Sequence, residues 1–199
     1  MAIEHDVIPD GERHEPKGLS SAANGKVYIS RGSDTGEWVY LPMGWANYAD
    51  NATAQTFNST AAKLSIDGAG STSDSSYLPR EIRGSAELWN TTTDKITPIR
   101  AGDSYNVRLT LPITAKTGTP TILEVQLDIG GGATPTIVVA EVDYAVSKTP
   151  PYTVTIGIPV FCLATFVTNG GQIFIATDTG TVAITAPSIF IDMNTSGTI

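Results

Sequence analysis

Few side chains of this sequence could carry catalytic or metal chemistry. The chain has two histidines, His5 and His14, and one cysteine, Cys162. A Ser-His-Asp or Cys-His site needs its histidine held against the nucleophile by a rigid scaffold, and both histidines lie in an unpatterned N-terminal segment. A metal site would lack ligands, because there is no cysteine pair and no H-x-x-x-H spacing. We therefore expect no enzyme, no metal and no other cofactor, although two carboxylates for glycoside hydrolysis could still meet in the fold.

Other residues that could bind a ligand have simpler explanations. Cys162 lies in the apolar run 158–166 and is expected to be a small buried hydrophobe. Gly130–Gly132 lacks the Lys and Ser/Thr of a phosphate-binding loop, so it predicts a hairpin tip. The three tryptophans lie in separate segments, which favours hairpin or core packing over a sugar-binding platform.

The first 44 residues differ in character from the rest. Residues 1–25 have almost no apolar periodicity and contain Pro9 and Pro16, so we expect them to be extended. Val27–Ser30 and Glu37–Leu41 flank a turn rich in Gly and Asp and predict a short β-hairpin. A two-stranded hairpin alone is marginal in water. Residues 1–44 are therefore predicted to be an arm that needs a surface to pack on.

Residues 45–199 predict one all-β domain. Short runs rich in Val, Ile, Thr, Tyr and Phe alternate with Gly, Pro, Asp and Asn, the pattern of a β-sandwich. Ser104–Leu111 and Thr121–Ile129 alternate apolar and polar residues, which gives each one buried face. The remaining predicted strands are Thr136–Val142, Tyr152–Ile158, Val160–Val167, Gln172–Thr177, Thr181–Thr185 and Ser188–Met193.

The length and the net charge of the chain limit which classes of partner it can bind. The 199 residues allow one domain with an appendage, and 20 acidic against 12 basic residues give a net charge of -8. Nucleic acid is not an expected partner, since phosphate binding needs clustered Lys and Arg. Neither a membrane anchor nor a signal peptide is expected, because no run of about 20 apolar residues occurs and residues 1–10 are charged.

One run of N-terminal residues forms a recognisable pattern: Arg13, His14, Glu15, Pro16, Lys17 and Gly18, then, after a spacer of small residues, Gly25–Ile29, Gly32 and Trp38. This segment resembles the capsid-anchoring segment of head-decoration and head-fibre proteins of tailed bacteriophages. Further residues are similar to the first half of the trimeric jelly-roll domain of such proteins: Lys63–Gly68, Leu78, Pro79, Leu88–Asn90, Lys95–Pro98 and Gly102–Arg108.

This resemblance implies a structural virion protein on the outer capsid surface, made in the host cytoplasm. The implied fold is an extended arm with a short hairpin (1–44) followed by a jelly-roll β-sandwich (45–199). A homotrimer would dock its arms on the major capsid protein. The expected capsid-binding residues are His14, Pro16, Lys17, Gly18, Val27, Tyr28, Ile29 and Trp38.

The apolar excess of the last third is consistent with a trimer interface at Ile158, Val160, Phe161 and Phe166. Aliphatic runs buried inside a single sandwich would look the same. A second function also stays open, that of a phage-fibre tip binding a receptor or a host surface carbohydrate. An exposed cleft lined by Trp45, Tyr48 or Trp89 would favour that alternative.

Overall fold

The computed structural model describes residues 26–32, 35–40, 43–79 and 86–194, which form 14 strands and one short helix. The chain divides into two compact units, Met1–Leu41 and Pro42–Ile199. The second unit begins with a strand at Met43, slightly before the boundary expected after residue 44.

The first unit contains the predicted hairpin. Strand β1 (Lys26–Gly32) pairs antiparallel with β2 (Thr35–Tyr40), and the two form a sheet of their own. The register is regular from Lys26↔Tyr40 to Ser30↔Gly36 and shifts beside Gly32. The extended conformation expected for residues 1–25 lies outside the described residues.

The second unit contains twelve strands, of which most are short or medium in length. In chain order they are β3 (Met43–Ala49), β4 (Ala54–Phe57), β5 (Ala62–Lys63), β6 (Trp89–Asn90), β7 (Lys95–Ile96), β8 (Ser104–Thr117), β9 (Ile122–Asp128), β10 (Val138–Ala145), β11 (Tyr152–Phe161), β12 (Gln172–Thr177), β13 (Thr181–Thr185) and β14 (Ser188–Asn194). A single helix, α1 (Ala164–Asn169), connects β11 to β12.

Eight of these strands have jelly-roll topology. One sheet carries β3, β14, β8 and β11 side by side, and the other carries β5, β12, β9 and β10. Counting only these eight, the first strand pairs with the last, the second with the seventh, the third with the sixth and the fourth with the fifth. This is a hairpin of paired strands folded over into two antiparallel layers, as in double-sheet jelly rolls. The predicted all-β sandwich is confirmed.

The core lies between the two layers and follows the predicted alternation. On β8, Tyr105, Val107, Leu109 and Leu111 are buried while the residues between them face outward. The inward residues of β9 and β14 alternate in the same way, and all six residues of β12 are buried. Strand alternation of this kind places every second side chain in the apolar core.

The prediction of a separate strand at Val160–Val167 was wrong. Strand β11 continues through Pro159 to Phe161, and residues 164–169 form α1 instead. Among the described strands, β11 pairs only with β8, and proline is tolerated in a strand that has an open side. Pro159 therefore does not end the strand.

Candidate interaction surfaces

The hairpin presents one aromatic pair. Tyr28 and Trp38 lie directly opposite each other in the register. Their ring centroids are 5.3 Å apart at an interplanar angle of 63°, an edge-to-face contact of the kind that stabilises cross-strand aromatic pairs. Val27 and Ile29 belong to the same strand and pair with Val39 and Glu37.

The remaining capsid-binding candidates lie outside the described residues. His14, Pro16, Lys17 and Gly18 all fall within residues 1–25. Their predicted role stays a prediction.

Three of the four candidate trimer-contact residues lie in the core of one chain. Ile158 and Val160 point inward from β11, and Phe166 on α1 is 1% exposed and contacts Tyr105 edge-to-face. Only Phe161, with 64% of its surface exposed, faces outward. The apolar excess at Ile158, Val160 and Phe166 is therefore accounted for by the sandwich itself.

A row of aromatic side chains crosses the outer side of the sheet formed by β3, β14, β8 and β11. Tyr77 stacks on Trp45 with centroids 4.5 Å apart, and Trp45 lies 5.3 Å from Phe190. The Arg108 guanidinium carbon lies 4.7 Å from the centroid of the Phe190 ring, within cation–π range. We call this surface the aromatic face and define it by Met43, Trp45, Tyr77, Arg108, Phe161 and Phe190.

A shallow groove of about 390 Å³ lies beside this row, between β8, β11 and β14. Gly157 opposes Arg108 in the β8–β11 register, and Arg108 opposes Phe190 in the β8–β14 register. A Cβ atom added to Gly157 would meet nothing within 4 Å. Asn106 and Asp192 add polar groups to the lining. The groove thus forms partly because Gly157 has no side chain, whereas the neighbouring outward positions Arg108 and Phe190 do.

The edge of β11 that faces away from β8 pairs with no strand in the described part of the chain. The strand pairs with β8 alone, and the Cys162 amide just beyond the strand donates to the Asp103 carbonyl at 2.9 Å. Because backbone direction alternates along an antiparallel strand, the odd-numbered residues of β11 direct their backbone groups away from β8. Pro159 is one of these residues, so its missing N–H costs no hydrogen bond to β8.

Two of the three residues named for a sugar-binding cleft are buried. Trp89 is fully buried, and its indole N–H donates to the Ile66 carbonyl at 2.9 Å. Tyr48 is 5% exposed, and its hydroxyl accepts the Leu88 amide at 3.1 Å. Burial raises the pKa of the Tyr48 hydroxyl above its usual value. Of the three, only Trp45 lies on an accessible surface.

The single thiol lies in the interior. Cys162 is fully buried, and desolvation by burial raises its pKa to about 11. The thiolate is the nucleophilic form of cysteine, so this environment makes Cys162 inert. Within the described residues, no group of three His, Cys, Asp or Glu side chains could hold a metal ion, and no helix is long and apolar enough to cross a membrane.

The glycine run lies in the loop between β9 and β10, as the sequence predicts. The buried Asp128 carboxylate holds this loop by accepting backbone N–H groups from Gly130 at 2.9 Å, Thr136 at 2.7 Å and Ile137. The loop is thus organised by an internal acceptor rather than shaped to receive a phosphate.

The sequence did not single out Tyr77, Arg108, Gly157 or Phe190. The signal available for Phe190 was its register, since it shares the outward side of β14 with Ser188 and Asp192. Alternation along β14 therefore places Phe190 on the outward side without any knowledge of the fold. Tyr77 lies in a loop, and only the fold brings it against Trp45.

No protein-family model and no curated protein matches this chain. Similar solved structures include PRD1 vertex protein P5, at 11% identity and a TM-score of 0.44 over 76% of this chain and 96% of that one. They also include Eiger TNF from S. frugiperda (9% identity, TM-score 0.42, 76% and 92% covered) and a protein of Bacillus endospore appendages, which form disulfide-linked pili (13%, 0.34, 77% and 91%). Similarities at this level assign neither a family nor a function to the chain.

Proposed function

We propose that this chain is a structural virion protein that decorates and stabilises a bacteriophage capsid. It acts as a homotrimer on the outer capsid surface and docks by its N-terminal arms on the major capsid protein. The resemblance of residues 13–38 to capsid-anchoring segments gives the proposal its direction. It involves no catalysis, metal or cofactor, and neither nucleic acid nor membrane is a partner.

The observation that carries the proposal is the hairpin unit with its aromatic pair. The β1–β2 sheet has only two strands, and such a hairpin gains stability by packing on a larger surface. Exposed strand edges can pair with a partner sheet, while side chains such as Tyr28 and Trp38 fill pockets on it. A unit of this kind is suited to docking on a larger partner.

In a trimer, each arm can bind the capsid weakly and the three arms together still bind tightly. When one arm of a trimer is bound, the other two are held near their own sites at a high effective concentration. Avidity can then exceed the affinity of a single arm by a factor of about 10² to 10⁴. Three arms bound to neighbouring capsid subunits would join those subunits together, which is the basis of the proposed stabilisation.

Co-sedimentation with capsids tests this proposal. Empty capsids are assembled from the major capsid protein of the same genome and mixed with the full chain or with its Trp38→Ala variant. Truncating a tryptophan at an interface centre costs about 2 kcal/mol or more, which is roughly 30-fold in affinity. We expect the full chain to sediment with the capsids and the variant to bind at least that much more weakly.

The matched control is Ile137→Ala, which removes an exposed apolar side chain from the sandwich instead of the hairpin. It should bind like the full chain. If the full chain stays in the supernatant, or if both variants bind equally well, docking through the hairpin is refuted.

The second candidate function is a fibre tip that binds a receptor or a host surface carbohydrate. The observation in its favour is the stack of Tyr77, Trp45 and Phe190 beside the polar groups of Asn106 and Asp192. Aromatic faces next to hydrogen-bonding groups suit sugar rings. A glycan array probed with the full chain separates the two candidates, because a decoration protein is expected to bind no glycan selectively.

A further inference from the structure

We propose that the aromatic face is the surface through which copies of this chain contact each other, an inference that rests on the homotrimer of the proposed function. The contact is made by the outer side of β3, β14, β8 and β11, with the groove at Gly157 receiving part of the neighbouring copy. This places the trimer contact on the other side of the sheet from Ile158 and Val160.

Three of the eight large apolar side chains that are exposed among the described residues lie on this face. Met43 is 59% exposed, Tyr77 55% and Phe161 64%. Met43 and Phe161 lie in one row across the sheet, because Met43 opposes Asn194, Asn194 opposes Ser104, and Ser104 opposes Phe161. Asn194 and Ser104 separate Met43 from Phe161, so apolar surface lies at both edges of the face, and exposed apolar surface marks candidate interaction sites.

The charges of the face favour a second copy over another kind of partner. The chain carries a net charge of -8, so a contact between copies is favoured where a cation of one copy meets the acidic surface of the next. The outward positions of the four paired strands hold one cation, Arg108, and one anion, Asp192. Neither forms an ion pair among the described residues. In a heterologous contact, the Arg108 guanidinium of one copy can face carboxylates of the next copy, whose surface is acidic overall.

The unpaired edge of β11 can supply backbone hydrogen bonds to the neighbouring copy, and these fix the orientation of the contact. Backbone groups of Thr155 and Gly157 point away from β8, and no described strand pairs with them. The absence of a side chain at Gly157 allows close approach at this point. Meeting a different patch of the next copy, rather than the same patch, makes a heterologous contact, and such contacts close into a ring when the rotation per copy is 120°.

The test fills the groove without disturbing the monomer. Gly157→Glu adds a side chain where a Cβ has open space and where the backbone is not left-handed. We expect multi-angle light scattering to give a trimer for the full chain and a monomer for this variant. The variant should keep the circular dichroism spectrum of the full chain, and any fall in its melting temperature should reflect the lost association between copies. Ala145→Glu is the control, since it adds the same side chain at an exposed position of β10, in the other sheet.

A second variant keeps the inference testable if Gly157→Glu fails to fold. Arg108→Glu leaves the groove open but removes the only cation of the outward strand positions and places a carboxylate near Asp192. It should also dissociate the trimer, and added salt should weaken its effect if charge repulsion is the cause. Trimers that persist in both variants would overturn the inference while leaving the homotrimer and capsid docking intact.

A monomeric full chain would overturn the inference together with the homotrimer, and capsid co-sedimentation would then show separately whether docking survives. If the monomer's tryptophan fluorescence also responds to a glycan, and Gly157→Glu abolishes that response, the groove is a carbohydrate site and not a contact between copies.

Discussion

Asp128 shows how a single residue holds the glycine-rich loop between β9 and β10 in place. Its carboxylate accepts three backbone N–H groups that have no strand partner of their own. Asp128→Ala would remove the common acceptor of three backbone donors in a partly buried loop, and hydrogen bonds to a charged group are among the more costly to lose. We expect the free energy of unfolding to fall by about 2–3 kcal/mol in urea titrations.

Asp143→Ala on β10 serves as the control, because that residue is exposed. Equal stability of the Asp128 and Asp143 variants would show that the loop is not held by Asp128.

Cys162 provides a second prediction at this scale. Its pKa of about 11 leaves it almost entirely protonated at pH 8, and burial blocks access by reagents. We expect a thiol reagent such as Ellman's to react with the native chain only at the rate of unfolding, and at once in denaturant. Rapid labelling of the native chain would contradict the burial of this thiol.

The sequence predicted the burial of Cys162 because the residue lies in an apolar run. It could not predict the place of Gly157 in a groove. A glycine between apolar residues indicates a weak point in a strand, but only the register reveals that Arg108 and Phe190 lie beside it.

At the scale of secondary-structure elements, Asp178 links the turn from β12 to β13 to the start of β9 by hydrogen bonds. Its carboxylate accepts the amides of Thr121 at 3.0 Å, Ile122 at 3.1 Å and Thr179 at 2.9 Å. The Thr121 hydroxyl also donates to it. These hydrogen bonds favour the charged form and lower the pKa of Asp178 to about 2. The turn is thereby joined to the start of β9.

The lowered pKa of Asp178 fixes the sign of a pH effect. The unfolded carboxyl has a pKa near 3.9 and binds protons before the folded one does, so its stabilising contribution is fully present above that value. The contribution is lost as the pH falls toward about 2. Asp178→Asn should lower the melting temperature at pH 7 and reduce the difference between pH 7 and pH 2. A melting temperature equal to that of the full chain at pH 7 would contradict this account.

Strand β11 shows why element boundaries were harder to predict than element types. The prediction divides this strand at Pro159, into Tyr152–Ile158 and Val160–Val167. Whether proline ends a strand depends on which side is paired, which is a property of the sheet and not of the local sequence. Beyond Phe161 the apolar run continues into α1, because apolar residues alone do not distinguish a strand from a short buried helix.

At the scale of the whole molecule, the sequence predicted the all-β class from alternation and turn residues. It could not predict the pairing of strands such as β3 and β14, which lie at opposite ends of the second unit. That pairing comes from closing the sandwich. The jelly-roll expectation rested on the resemblance, whereas the arm was predicted from its lack of apolar periodicity and its prolines. Residues 1–25 of that arm lie outside the described part.

Cryo-electron microscopy of capsids incubated with the full chain examines the trimer, its location and its docking in one measurement. We expect three-lobed density projecting from the outer capsid surface, joined to the major capsid protein by thin connections that extend from each lobe. Bare capsids beside unbound protein, or single lobes without contact through the N-terminal unit, would contradict the proposed function.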